Sequence, residues 1–461
     1  MESFTFRLQT EDARPLYEQL YRHIISEMQA GRLREGEKVP SKRALCAHLG
    51  VSRSTVETAY GLLCAEGYLR AVPKSGYYVS AQLETSAAPP PEKKPAPIPQ
   101  IPPPRYDFST SAVDTSQFPF ASWAKLTREA VSGHPELLQR GDPRGDEGFR
   151  RALADFLREY RGVRCDAGQI IIGAGLEYLL SVLVQLLPRE SVFAVEDPGY
   201  GALVQVLRSH DRRICPIPLD EAGMREEVLR ASGATVAYVT PSHQFPMGIT
   251  MPAGRRSRLL RWAAEKPGRY LIEDDYDSEF RYTSRPIPAM QGMEERGRVI
   301  YIGTFSRSLA ASVRVAYLVL PEALLPCWEN QFGRTASTVS RFEQQTLCYF
   351  LERGLYIRHL RRMTNHYRKK QQLLLQALRE MPSLTVSGAE AGLHFLVTVP
   401  GKSEQSLLAA AEQAGLPLRG LRSYALQAEP AQATLVLGFA GLREDQIPAA
   451  AQALLAVIRQ A

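Results

Sequence analysis

The sequence predicts a multidomain protein: a small α+β module shaped as a winged helix-turn-helix, then a large α/β module that ends in an α+β subdomain. Three observations carry this. The chain has 461 residues, more than one hydrophobic core can serve. Nine of its 32 prolines fall within residues 87–104, a stretch with almost nothing that could enter a core. Beyond it, short apolar runs alternate with helical patterns, the rhythm of a mainly parallel sheet covered on both faces. The expected boundaries are 1–80 for the small module, 81–105 for a proline-rich linker, 106–340 for the large α/β domain, and 341–461 for a long helix with the small C-terminal subdomain.

The small module reads as three helices and a hairpin. Leu16, Leu20, Ile24 and Met28 recur on one helical face after Pro15, which suits a first helical turn. Ser41 can cap a short helix through His48, and Gly50 ends it in a tight turn. Ser52 can cap the next helix, whose Val56, Ala59, Tyr60 and Leu63 follow helical spacing until Gly67. Residues 68–72 and 77–79, split by Pro73-Lys-Ser-Gly76, look like a β-hairpin. The linker is a polyproline-type spacer, at ~3.1 Å per residue able to span ~50 Å.

In the large module the strand candidates are Gln169–Ile172, Ser191–Val195, Val236–Thr240, Tyr270–Asp274, Val299–Ile302 and Val315–Leu320. Leu176–Leu187 and Arg255–Glu265 read as helices between them. A long basic helix over about Arg341–Glu380 precedes short strands near Leu384, His394–Val399 and Leu435–Gly438. The basic run Arg353–Lys370 within it is a solvated or docking face before it is a DNA contact.

Composition narrows the function classes. Hydrophobic residues make up 44% and charged residues 23%, an ordinary globular balance. No apolar run approaches the roughly 20 residues of a membrane span, and Met1–Arg7 lacks the apolar segment of a secretory signal. A cytoplasmic protein without a membrane partner is expected. Cys46, Cys64, Cys165, Cys215, Cys327 and Cys348 are scattered without a CxxC pair, which favours reduced thiols over zinc or disulfides. No metal site is expected, and His243, without a cysteine or carboxylate at ligand spacing, reads as structural. The formal net charge of +7 permits an anionic partner.

That charge is focused. Residues 1–80 carry 11 basic and 9 acidic groups, yet Ser41–Thr55 holds Lys42, Arg43 and Arg53 with no acid. Arg53 and Thr55 open the second helix of the helix-turn-helix and can reach base edges in a major groove. Ser41, Arg43 and Ser52 suit phosphates, Lys42 adds sequence-independent attraction, and Lys74 at the hairpin tip suits the flanking backbone or minor groove. Pro40-Ser-Lys-Arg-Ala-Leu45, Leu49–Tyr60 and Ala65-Glu-Gly-Tyr-Leu69 resemble the GntR-type winged helix throughout.

The large module resembles fold-type-I pyridoxal phosphate (PLP) enzymes of the aminotransferase kind. Joined to a GntR-type winged helix, it resembles the MocR-like regulators over nearly the whole chain. The likeness runs through Gly141-Asp-Pro-Arg-Gly145, Arg161-Gly-Val163, Ile170–Gly175, Glu196-Asp-Pro-Gly-Tyr200, Thr240–Gly248 and Ile272–Asp277. It implies that Asp274 pairs with a pyridine nitrogen, Tyr276 bonds the ring hydroxyl and Tyr200 stacks on the ring. Arg314 would bind the phosphate, as would the helix start at Gly175 and Leu176. Each of these has a plainer reading as a cap, an ion-pair partner or packing.

The segment Tyr301–Tyr317 departs from that pattern. It resembles the cofactor-lysine segment, but Arg307 stands where the Schiff-base lysine would be. A guanidinium has no free lone pair, so there is no covalent anchor and no catalytic residue. The only lysine between residues 126 and 340 is Lys266, at the wrong end of its sheet. Leu176 replaces a small hydroxyl residue, and Val436 stands where aminotransferases often hold an arginine for the substrate carboxylate. These departures point to a DNA-binding transcription regulator without transaminase activity rather than to a PLP-dependent aminotransferase with an accessory DNA module. The resemblance implies a head-to-tail homodimer on a double-stranded DNA operator. Its small-molecule effector would be an amino acid, a vitamer or another acid, and any PLP would be held non-covalently or lost.

Overall fold

Leu20, Ile24 and Met28 share one side of the helix Leu16–Gln29 and are buried against Val56, Ala59, Tyr60 and Leu63 of the helix Arg53–Ala65. The helix Lys42–Leu49 adds Leu45. Ser41 and Ser52 accept the amides of Ala44 and Thr55, each at 3.2 Å, so both helix starts are capped as the sequence expects. Gly50 takes φ 66°, the left-handed conformation that closes the turn between them. Pro15 is the residue before the first helix rather than a member of its first turn. The wing comprises β2 (Leu69–Val72) and β3 (Gly76–Val79), and it gains β1 (Lys38–Val39), too short for a periodic signal, in the antiparallel order β1-β3-β2.

The computed structural model describes residues 14–80, 104–283 and 287–461; most of the proline-rich linker lies outside them. The chain divides into two units, Met1–Pro102 and Pro103–Ala461.

The second unit is built on eight strands: β4 (Ile170–Gly173), β5 (Val192–Asp197), β6 (Arg213–Asp220), β7 (Gly223–Met224), β8 (Val236–Val239), β9 (Tyr270–Asp274), β10 (Val299–Thr304) and β11 (Ala316–Val319). Their order is β4-β11-β10-β9-β8-β5-β6-β7. From β10 to β6 every neighbour is parallel, whereas β11 runs against both β10 and β4. Strands β8 and β9 are buried along their whole length, and alternate residues feed opposite cores. Val236 and Tyr238 pack with the helix Leu176–Leu186, while Ala237 and Val239 pack with Trp262 of the helix Ala253–Glu265.

Two sequence expectations fail here for identifiable reasons. Strand β6 was not expected because Pro216 and Pro218 interrupt it and its burial is mixed. The single long helix over 341–380 is two helices, Arg341–Glu352 and Leu355–Leu378, separated at Gly354, whose φ of 64° no continuous helix allows.

A smaller sheet follows, in the order β12 (Thr385–Ser387), β13 (His394–Val399), β15 (Ala433–Gly438), β14 (Arg419–Gly420). It packs on the helices Glu404–Gln413 and Ile447–Gln460 and on the end of Leu355–Leu378. Lys370 is fully buried there, bonded to Asp114 and to the Ala440 carbonyl at 3.0 Å. It is therefore unavailable to DNA, unlike Arg358, Arg361, Arg362 and Lys369 on the same helix, which are exposed.

Candidate functional site

The capped start of the helix Arg53–Ala65 presents Arg53 to solvent at 81% exposure. Its Nε lies 3.0 Å from Glu57 one turn on, and the same carboxylate lies 3.5 Å from Lys42. Glu57 thus holds the two cations of adjoining helices together, with Lys42 also over the Tyr77 ring at 5.4 Å. Arg43 is exposed on the same short helix. Lys74, at φ 62°, occupies the hairpin turn. The Glu57 link was not foreseen from the sequence, although its i+4 spacing from Arg53 was visible there.

The large unit carries a cavity of about 510 Å³ where strands β5, β8, β9 and β10 end. Tyr200, Thr240, Asp274 and Thr304 follow or close these strands and line it, as expected for the carboxyl edge of an open parallel sheet. Leu176, Tyr276, Arg307 and Arg314 join them. Gly175 adjoins this group: it precedes the helix Leu176–Leu186 at φ 97°, and a Cβ there would lie 2.5 Å from Arg314 Nη2.

Asp274 is buried. One carboxylate oxygen accepts the Tyr238 hydroxyl, and the other, Oδ1, has no partner among the described residues. Burial, aided by Asp275 and Asp277, pushes its pKa up to about 7, against the opposing pull of Tyr238 and Arg307. Asp275, next in sequence, is locked by Arg161, with Nε–Oδ2 at 2.7 Å and Nη2–Oδ1 at 3.0 Å, and takes the Tyr301 hydroxyl at 2.5 Å. The loop that carries Tyr276 is therefore fixed from below.

Tyr276 Oη lies 3.0 Å from His243 Nδ1, which is 2.9 Å from Asp277 Oδ2. No carboxylate stood at ligand spacing from His243 in the sequence; the fold supplies one from 34 residues away. His243, Asp277 and His394 offer ligand atoms within 4.8 Å of one another. His243 Nδ1 faces both Asp277 and Tyr276, and His394 Nε2 lies 3.0 Å from the Pro246 carbonyl, whereas His243 Nε2 and Asp277 Oδ1 are buried without a partner among the described residues. The contact to Nδ1 orients Tyr276.

Arg314 pairs with Glu177 at 3.1 Å, and Tyr200 donates to the same carboxylate at 3.3 Å. Burial works against ionisation of Glu177, but its own amide and Arg314 hold the carboxyl below its ordinary range. This acid in the first helical turn was missed in the sequence, where only the glycine before the helix drew attention. Arg307 makes no ion pair among the described residues; Nη1 donates to the Thr110 carbonyl at 2.5 Å. Ser308 beside it is held by Tyr356 at 2.8 Å and by His359 at 2.7 Å.

Three further lining residues, Arg419, Ser423 and Tyr424, come from the C-terminal subdomain. Arg419 in β14 stands opposite Val436 in β15, and it lines the cavity where apolar Val436 does not. Asp197 at the end of β5 accepts the amides of Leu426, Gln427 and Ala428 at 2.7, 2.8 and 2.9 Å, which brings Ser423 and Tyr424 to the cavity wall.

A winged helix with a cationic recognition edge, followed by an aminotransferase-like domain with a ligand cavity at its strand ends, defines the class of protein. Comparison with known proteins agrees for both parts. Residues 16–79 match the family model of bacterial regulatory proteins of the gntR family, and residues 106–454 match that of aminotransferase class I and II. The uncharacterized HTH-type transcriptional regulator YdeL of Bacillus subtilis is 38% identical over 94% of both chains. The probable rhizopine catabolism regulatory protein MocR of Rhizobium meliloti is 32% identical over 93% of this chain and 90% of its own. An archaeal alanine:glyoxylate aminotransferase shares the fold of the larger unit, with a TM-score of 0.71 at 22% identity over 77% of this chain and 91% of its own. The chain belongs to the MocR-type family of GntR regulators, in which a winged helix is joined to an aminotransferase class I and II domain.

Proposed function

We propose that this chain is a cytoplasmic, homodimeric transcription regulator. Its winged helix binds operator DNA through Arg53 and Thr55 at base edges, Ser41, Arg43 and Ser52 at phosphates, Lys42 by sequence-independent attraction, and Lys74 at the flanking backbone or minor groove. Its aminotransferase-like domain serves as an effector-binding and dimerisation unit that performs no transamination. One observation carries the last point: the described lining of the cavity contains three arginines and no lysine. Lys266 caps the far end of the helix before β9, and Lys370 is committed to Asp114.

The remaining residues fit a pyridoxal-type ligand. The unpartnered Oδ1 of Asp274 suits a pyridine N–H, Tyr276 a ring hydroxyl, and the Tyr200 ring a stacked heterocycle. Arg314 and the amides that open the helix at Leu176 suit a phosphate, with Gly175 leaving them room. PLP bound here would bring an aldehyde and an electron-withdrawing ring, but Arg307 offers no amine to that aldehyde. A phosphate entering the cavity also competes with Glu177 for Arg314, which weakens its hold and favours reversible binding.

Absorbance of the full-length protein titrated with PLP, before and after borohydride, tests this reading. Wild type should yield no trapped pyridoxyl group at this site, and Arg307→Lys should gain one. A pyridoxyl group mapped to the cavity in wild type would overturn it.

A further inference from the structure

The charge balance of the cavity goes beyond a generic effector site. Three guanidiniums, Arg307, Arg314 and Arg419, line it against two carboxyls, Glu177 and Asp274. Glu177 is committed to Arg314, and Asp274 is buried with its pKa pushed up to about 7. Arg307 and Arg419 are left without a carboxylate among the described residues. A partly enclosed space with surplus fixed positive charge selects an anion.

The placement of Arg419 is specific. Gly420, the other residue of β14, is pressed against the neighbouring helix, where a Cβ would lie 2.0 Å from Glu404 Cδ. Glu404 accepts the Arg422 amide at 3.3 Å and forms no ion pair with Arg419 among the described residues. Alternation along the strand sends Gly420 toward that helix and Arg419 toward the cavity. The wall beside it is anchored, since Gly199 donates to the Tyr424 carbonyl at 3.0 Å and Asp197 grips the three amides that follow. Arg307 lies in the turn after β10 of the eight-stranded sheet and Arg419 in β14 of the four-stranded one, so a ligand that meets both joins the two layers.

We infer that Arg419 is the carboxylate-binding residue of this cavity and that the effector is a carboxylate-bearing small molecule held between the two sheets. This rests on the reading of the cavity as a pyridoxyl-type effector site. The test uses full-length protein and calorimetric titration with two stable probes, N-(5′-phosphopyridoxyl)-L-leucine and the corresponding 3-methylbutylamine adduct, which lacks only the carboxylate. Wild type should bind the carboxylate probe at least about tenfold more tightly. Arg419→Gln should bring the two probes to within about twofold of each other, and Arg419→Lys should keep part of the preference. Equal binding of both probes by wild type, or an undiminished preference in Arg419→Gln, overturns the assignment of Arg419 while leaving the pyridoxyl site standing. Failure of both probes to bind overturns the pyridoxyl site and this assignment with it.

Discussion

Arg53 and Lys42 share one carboxylate, and that sharing separates their roles. Arg53 is exposed at the start of its helix and needs only to leave Glu57 to reach a base edge, whereas Lys42 is also held over the Tyr77 ring. Arg53→Ala should relax base preference, while Lys42→Ala should weaken binding to all sequences alike and reduce the salt dependence by about one ion. Gel shifts on operator and scrambled DNA over a salt series check both; an Arg53→Ala protein with wild-type discrimination would remove Arg53 from base readout. A second residue-scale expectation concerns Arg161, buried with Asp275. Arg161→Ala leaves that carboxylate without its charge partner and should cost about 3–5 kcal/mol of stability, measured by denaturant unfolding. Adding Asp275→Asn should recover part of the loss.

Among the elements, those with strong local signals were legible in the sequence. Ser41, Gly50 and Ser52 marked the helix-turn-helix because caps and left-handed turns are written in one residue each. Strand β9 stood out as a short, continuous apolar run, Tyr270–Ile272, before its acidic end, and its register placed Asp274 at the ligand edge. Elements that depend on partners were hidden. Strand β6 is made by β5 rather than by its own proline-interrupted pattern, and β14 is two residues long. The same holds within the site. Asp274, Tyr276 and Tyr200 could be picked out from the family pattern, but the Glu177–Arg314 pair and Arg419 became visible only when distant segments met. Arg314 itself carries both readings, an ion-pair partner in this structure and an anion site in the proposal.

For the molecule as a whole, buried acids set the pH response. Glu196, Glu273 and Asp274 have ordinary values of 4.5, 4.5 and 3.8, and burial pushes each to about 7. Their folded forms hold protons that the unfolded chain has already released, so stability should fall as pH rises from about 5 to about 8. Asp275 and Asp114 have the opposite sign. Burial opposes their ionisation, but Arg161 and Lys370 respectively hold them below 3.8, so the stability they lend is present above that value and is lost as pH falls below it. Melting temperature against pH should therefore peak on the acidic side of neutrality, and Asp274→Asn should flatten the alkaline slope. A melting temperature that climbs from pH 5 to pH 8 would contradict the assignment of these acids.

The segment that follows the linker has one more consequence. Ser109, Thr110 and Ser111 line the cavity, Thr110 holds Arg307, and Asp114 is fastened by Lys370 and His366. The chain that follows the linker thus enters the second unit along the wall of this cavity. Any influence that runs through this wall obeys thermodynamic reciprocity: if a ligand that draws Arg307 from Thr110 changes operator affinity by some factor, saturating operator must change ligand affinity by the same factor. Two titrations, each with the other partner present and absent, measure that common factor, and a factor of one, with neither affinity changed, would show that no influence runs through this wall.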